Sequence, residues 1–170
     1  MIRHKTKFIQ RTIKGNQAVK IYDLDGTIID SSHRIKLRED GSLDLEHWKN
    51  NCTREQIFQD SLLPMYWQLR ADYMNGDIII ICTAREFNKY DLEYLHTMNI
   101  YYDYLISRPK DCETIDHELK KLQLTHLFHL NQFRNMAKAF YDDNANNLKA
   151  ISQLGSIDCV HAGEWNNQYL

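Results

Sequence analysis

The stretch Val19-Lys20-Ile21-Tyr22-Asp23-Leu24-Asp25-Gly26-Thr27 constrains this chain more than any other. Its apolar opening reads as a short buried strand, which runs into two aspartates one residue apart. Strand alternation puts Asp23 and Asp25 on one side, and Gly26 lets the chain turn sharply after them. The C-terminal edge of a parallel sheet is where α/β folds bind ligands. Two carboxylates there repel each other and need a cation or a shared proton. A Mg²⁺ ion between them meets that need and can also grip a phosphate. The competing reading is a chance Asp-x-Asp-Gly turn. From average residue usage the five-residue pattern arises by accident in about one in a thousand chains of this length, so the functional reading leads.

A second strand, Asp77-Ile78-Ile79-Ile80-Ile81-Cys82, is a continuous β-branched run of the kind buried on both faces of a parallel sheet. It ends in Thr83, Ala84 and Arg85. A phosphate at that end would accept bonds from the Thr83 hydroxyl and from neighbouring backbone N–H groups such as that of Ala84. Arg85 is a candidate substrate contact beside them. A third strand-like run, Lys138-Ala139-Phe140-Tyr141, leads into Asp142-Asp143-Asn144. Asp142-x-Asn144-x-Asn146 mimics the start of an EF-hand loop, but Asn147 and Gln153 stand where that loop needs Gly and Glu. Helix capping by Asp143 or Asn144 is the simpler alternative, and capping and metal binding can coexist. In the loop after the first aspartates, Arg34 either reaches substrate or lies on a solvent-exposed surface. Lys110, Lys120 and Lys121 compete to supply a cation near a helix start.

In this order the motifs resemble those of the haloacid dehalogenase superfamily, whose members are mostly Mg²⁺-dependent phosphatases. The resemblance implies an α/β, Rossmann-like core with a parallel sheet flanked by helices and a small helical cap insert. It implies Asp23 as nucleophile, Asp25 as acid/base, Thr83 as the phosphate-binding hydroxyl, and Asp143 as direct metal ligand with Asp142 in support. Arg108-Pro109 followed by Asp116-His117-Glu118-Leu119-Lys120 is similar to the phosphatase domains of phage-type polynucleotide kinase-phosphatases. That likeness selects Lys120 as the catalytic lysine and Arg108 as a substrate contact. Those domains continue Asp-Asp-Arg where this chain has Asn144. The implied activity is a phosphomonoesterase working through an aspartyl-phosphate, foremost a polynucleotide 3′-phosphatase. A small-molecule phosphatase such as a 5′(3′)-nucleotidase is the alternative, and a non-catalytic binding module a distant third. A phosphorylated nucleic-acid end or a nucleotide is the expected substrate, with a separate kinase or ligase in the same pathway. No G-x-x-x-x-G-K-[ST] kinase signature occurs.

The remaining organisation agrees. With 170 residues, residues 1–170 are expected to form one domain, with a small helical insert at about 35–75. Within it, helices are expected over 43–58 and about 60–75, the latter capped by Asp60 or Ser61 and closed by Asn75-Gly76. Four scattered cysteines form no Cys-x-x-Cys pair, and no membrane-length apolar run occurs, so a reducing cytoplasm without membrane attachment is expected. Net charge is −2, but Arg3, Lys5, Lys7, Arg11, Lys14 and Lys20 make the first twenty residues basic. That segment, with a weak strand at 6–14, is either a phosphate-backbone contact or a solvated edge.

Overall fold

A computed structural model describes residues 16–170; the 6–14 strand and most of the basic segment lie outside the described residues. The five strands β1 (Val19–Tyr22), β4 (Ile78–Cys82), β5 (Tyr104–Ile106), β6 (Lys138–Asp142) and β7 (Asp158–His161) form one sheet in the order β5-β4-β1-β6-β7. All four pairings are parallel. β1 therefore sits in the centre, and the chain crosses from one side of it to the other between β5 and β6. This change of direction creates a crevice at the C-terminal strand ends.

Period-two alternation divides the core between the two faces of the sheet. Ile79, Ile81, Leu105 and Tyr141 pack with α3 (Met65–Met74), α4 (Lys89–Thr97) and Ala162 of α7 (Ala162–Asn167). Val19, Ile21, Ile80, Cys82 and Phe140 face the other way. They pack with Leu124 and Leu127 of α5 (Asp116–Phe128) and Ile151 of α6 (Ala145–Ser152). The result is the α/β, Rossmann-like parallel sheet with helices on both faces that the family resemblance implies.

Between β1 and α3 the chain leaves the sheet. β2 (Ile29–Asp30) pairs antiparallel with β3 (Ser61–Leu62), a two-stranded stem. Beyond the stem lie a 3-10 turn at Ser32–Arg34, α1 (Leu45–Asn50) and α2 (Arg54–Ile57). The expected continuous helix over 43–58 is broken at Asn51–Thr53. There the Thr53 hydroxyl opens a second helix by accepting from Gln56 N–H, and Leu45 remains exposed. The expected helix over 60–75 starts later, at Met65. Asp60 and Ser61 do not cap it, because Asp60 is bonded to Arg34 and Ser61 belongs to the stem. Its first N–H, from Met65, donates instead to Asn166 Oδ1 of α7 at 2.8 Å. The Asn166 amide also donates to Thr27 O at 3.0 Å, so one buried side chain ties α3 to the loop behind Asp25. Asn75-Gly76 closes the helix as expected, with Gly76 at φ +93°.

Candidate active site

Three adjacent strands deliver acidic or hydroxyl groups to one edge. β1 ends at Tyr22, level with Ile81 and Tyr141, and Asp23 follows directly, its N–H donating to Tyr141 O at 2.9 Å. Asp142 closes β6, and Thr83 stands just past β4. From the opposite side Lys120, in the second turn of α5, extends a buried Nζ that donates to Asp23 Oδ1 at 2.6 Å and Asp142 Oδ2 at 2.7 Å. Of the three competing lysines only Lys120 makes this contact among the described residues; Lys121 bonds Gln153 at the surface and Lys110 is exposed.

Asp142 is fully buried and heavily bonded. Besides Lys120 it accepts the Asn144 N–H at 2.8 Å, and both its oxygens lie 3.0 Å from Asn147 Nδ2. Asn147 was not foreseen as a site residue. The signal was present, since it falls five residues after Asp142 in the first turn of α6, but it was read only as part of a failed calcium loop. Asp143 is different: it is exposed, and no cation pairs with it among the described residues. It leans over Gly26. A Cβ there would lie 2.3 Å from Asp143 Oδ2, and Gly26 has φ +72°, so glycine is required on both counts.

Asp25 sits in a second ionic cluster. Its carboxylate accepts Ser31 Oγ at 2.5 Å and a forked pair of bonds from Arg85, with Nε at 3.1 Å. Arg85 also binds Asp91 at 2.6 Å through Nη1 and lies 3.6 Å from Asp60. Arg34 grips Asp60 through Nε at 2.9 Å and Nη2 at 2.6 Å. The Trp48 ring lies against both guanidiniums, 4.5 Å from that of Arg34 and 5.5 Å from that of Arg85. These contacts correct the expectation for the arginines. Arg34 is wholly buried rather than on an exposed loop, and its charge answers Asp60. Arg85, expected as a substrate contact, is also buried, with its guanidinium bonded to Asp25 and Asp91. Arg108 is bound to Ala84 O at 2.8 Å, Cys112 O at 2.8 Å, Thr114 O at 2.6 Å and Asp116 at 2.5 Å. A guanidinium so occupied is a latch between the β4 and α5 loops. Thr83, also buried, accepts the Arg85 N–H at 3.1 Å.

The electrostatics separate the two motif aspartates. Burial raises the Asp23 carboxyl well above its usual range; Lys120 opposes that rise, and Asp142 and Asp25 add to it. Burial also works against the Asp25 carboxylate, but the Arg85 guanidinium and the Ser31 hydroxyl outweigh it and hold the group below its usual value. Burial would lower Lys120, yet Asp23 and Asp142 keep it firmly protonated. Asp143 is exposed as a residue, but its carboxyl end leans on the Gly26 turn, and this partial loss of solvent first and the Asp142 charge second push it up. Asp23, Asp142 and Asp143 thus crowd together, with one oxygen of each within 4.8 Å of the others, and Lys120 is their single ion-pair partner among the described residues. This donor set of hard oxygens in charge excess fits a hard divalent cation.

Residues 8–168 match a family model described as bacteriophage T5 5′-deoxynucleotidase. The chain belongs to that family. A 5′-deoxynucleotidase of Escherichia phage T5 is 40% identical over 96 residues, which are 54% of this chain and 39% of the relative. The aligned part therefore spans well under half of that relative's length. Among solved structures, a phosphatase from Clostridium difficile has a TM-score of 0.58 at 17% identity, with 86% of this chain and 85% of that one covered. A chain of the Pnkp1/Rnl/Hen1 complex reaches 0.64 at 21% identity, covering 92% of this chain and 49% of its own. A haloacid dehalogenase-like hydrolase of Streptococcus pneumoniae gives 0.58 at 13%, covering 84% and 83%. At these identities the neighbours speak for the fold, which is that of the haloacid dehalogenase superfamily. Family match and fold agree: the chain belongs to the T5 5′-deoxynucleotidase family and carries a haloacid dehalogenase-like fold.

Proposed function

We propose that this chain is a Mg²⁺-dependent nucleotidase that removes the phosphate of deoxynucleoside 5′-monophosphates through an aspartyl-phosphate. The family match over residues 8–168 carries the substrate class. Asp23 attacks phosphorus, forming the Asp23 O–P bond as the bond to the nucleoside oxygen breaks. Asp25, a carboxylate in the free site, takes up a proton from solvent or from the entering phosphate monoanion and gives it to that leaving oxygen. It later takes one from the water that attacks phosphorus and frees Asp23. Lys120 and the Thr83 hydroxyl, with the Ala84 N–H, stabilise the oxygens of the transferring group. Asp23, the Asp25 carbonyl and Asp143 would hold Mg²⁺, with Asp142 behind them, and the bound ion would neutralise phosphate charge. Asp142 and Asn147 act by holding Lys120 against Asp23, bonds already formed at 2.7 and 3.0 Å.

A polynucleotide 3′-phosphatase is the second reading, and it ranks below the first for a physical reason. The arginine expected to meet a nucleic-acid strand, Arg108, has its guanidinium tied up by three carbonyls and Asp116. Phosphate release with Mg²⁺ from 5′- and 3′-deoxynucleotides and from a 3′-phosphorylated oligonucleotide separates the two. Fastest turnover of the 5′-mononucleotides, with little salt dependence, is expected. Preference for the oligonucleotide, weakening steeply with salt, would replace the first reading by the second. Asp23→Asn is expected to lose at least about a thousandfold in kcat with unchanged circular dichroism; turnover retained in that variant removes the whole scheme.

A further inference from the structure

Proton transfer to a nucleoside oxygen requires more than the presence of Asp25; it requires that the carboxyl be aimed. Asp25 lies beyond the end of β1, in a loop joined to Ile29 by an isolated bridge, so the backbone alone does not fix its side chain. The Ser31 hydroxyl and the Arg85 fork fix it, and Arg85, which holds both oxygens, is itself held from three directions. Asp91, in the first turn of α4, binds Nη1 at 2.6 Å. Asp60, at the end of the insert, stands 3.6 Å from Nη2 while locked by Arg34. Trp48, on α1, covers both guanidiniums and separates them from water on that side. The contacts run unbroken from the insert to the reacting edge, as Trp48 and Asp60, then Arg85, then Asp25.

We infer that Arg85, Asp60 and Trp48 are positioning residues for the acid/base step, so that the insert sets the aim of Asp25. The inference rests on the phosphatase reading proposed above. In the first half-reaction the Asp25 O–H proton passes to the departing oxygen as the P–O bond breaks and the Asp23 O–P bond forms. In the second, the Asp25 carboxylate takes a proton from water as the water oxygen bonds to phosphorus and the Asp23 O–P bond breaks. Misaiming Asp25 harms the first step in proportion to how badly the leaving group needs a proton. A nucleoside alkoxide needs one; 4-nitrophenolate, a weak base, departs without it. A generally loosened fold would slow both substrates alike.

The test compares kcat and KM for a deoxynucleoside 5′-monophosphate and for 4-nitrophenyl phosphate in the wild-type chain, Trp48→Ala, Trp48→Phe, Asp60→Asn and Arg85→Lys, with Mg²⁺ present. Circular dichroism and melting check that each variant folds. In Trp48→Ala and Arg85→Lys the ratio of kcat on the aryl ester to kcat on the nucleotide is expected to rise about tenfold or more, a part of the hundredfold or larger effect of a general acid. Nucleotide KM is expected to change little, and Trp48→Phe, which keeps a ring face, is expected to restore most of the ratio. Equal losses on both substrates, or an unchanged ratio in every folded variant, overturn the inference and leave the phosphatase reading intact. Failure of the wild-type chain to release phosphate from either ester would overturn that reading instead. Should Asp60→Asn fail to fold, since it strands the buried Arg34 charge, the two Trp48 variants still decide the matter.

Discussion

At the scale of single residues, the two aspartates after β1 follow opposite electrostatic rules although they are one residue apart. Asp23 is crowded by like charge and relieved by Lys120, whereas Asp25 is gripped by Arg85 and Ser31. The placement of Asp23, Thr83 and the Asp142-Asp143 pair at one sheet edge was legible because each follows an apolar run that reads as a strand, whereas Lys120 was singled out from Lys110 and Lys121 only by the family resemblance. The arginines were misread for the converse reason. A guanidinium in a loop has no periodicity to say whether it faces water or a carboxylate 26 residues away, and Arg34 found the latter in Asp60. Asn147 belongs with the missed residues, and its substitution measures how much Lys120 relies on Asp142. Asn147→Ala is expected to cost roughly 1–2 kcal/mol of stability and to lower kcat more than it raises KM, measured by urea unfolding and steady-state kinetics. Gly26→Ala is expected to be worse, because the left-handed backbone strain of roughly 1–2 kcal/mol adds to a collision with Asp143. Loss of activity together with a lowered melting temperature is the expected outcome, and normal activity would contradict the packing of Asp143 over that turn.

At the scale of elements, the three central strands β1, β4 and β6 were read almost to the residue, and the insert with its two-stranded stem was not. A run such as Ile78–Cys82 has one stable fate in a parallel sheet, whereas 43–58 carries apolar residues at nearly helical spacing without a core to receive them all. Capping decided the outcome there, with Asp44 and Thr53 each opening a short helix through a side-chain bond. Capping also anchors α4, where Asn88 and Asp91 form a reciprocal box and Asp91 in addition holds Arg85. Asn88→Ala is therefore expected to destabilise the chain by about 1 kcal/mol and to widen the ester-rate ratio slightly, since one side of the box also supports Arg85. The start of α3 shows the limit of local reading: Pro64 precedes it with no side-chain cap, and its bond comes from Asn166, 101 residues away. No local pattern near residue 65 could announce a partner on the last helix.

At the scale of the whole molecule, β1 lies between β4 and β6, so the reacting edge borrows its rigidity from the centre of the sheet. Among the described residues no helix is long and apolar enough to cross a membrane. Helix α3 brings a buried polar group, Asp72, to one face of the sheet, where its Oδ2 accepts the hydroxyl of Tyr22 from β1 at 2.6 Å. Burial raises the Asp72 carboxyl above its usual value, with the Tyr22 bond and Lys20 opposing. A carboxyl raised on folding favours the native state fully below its unfolded pKa, and that contribution is lost as pH rises through the folded pKa. Asp72→Asn removes the loss. Its stability relative to the wild-type chain is thus expected to improve as pH rises above the usual carboxyl range of about 4, as measured by urea midpoints, and a difference constant with pH would deny the effect. Because Ile29–Asp30 and Ser61–Leu62 are hydrogen-bonded neighbours, the two ends of the insert leave and rejoin the body side by side. The sheet is indifferent to how much chain lies between them, since doubling such a loop costs only about 0.6 kcal/mol in closure entropy. That makes the stem a socket: inserts of other lengths can be exchanged there, provided each new one brings an anion and a ring to the place where Asp60 and Trp48 now meet Arg85.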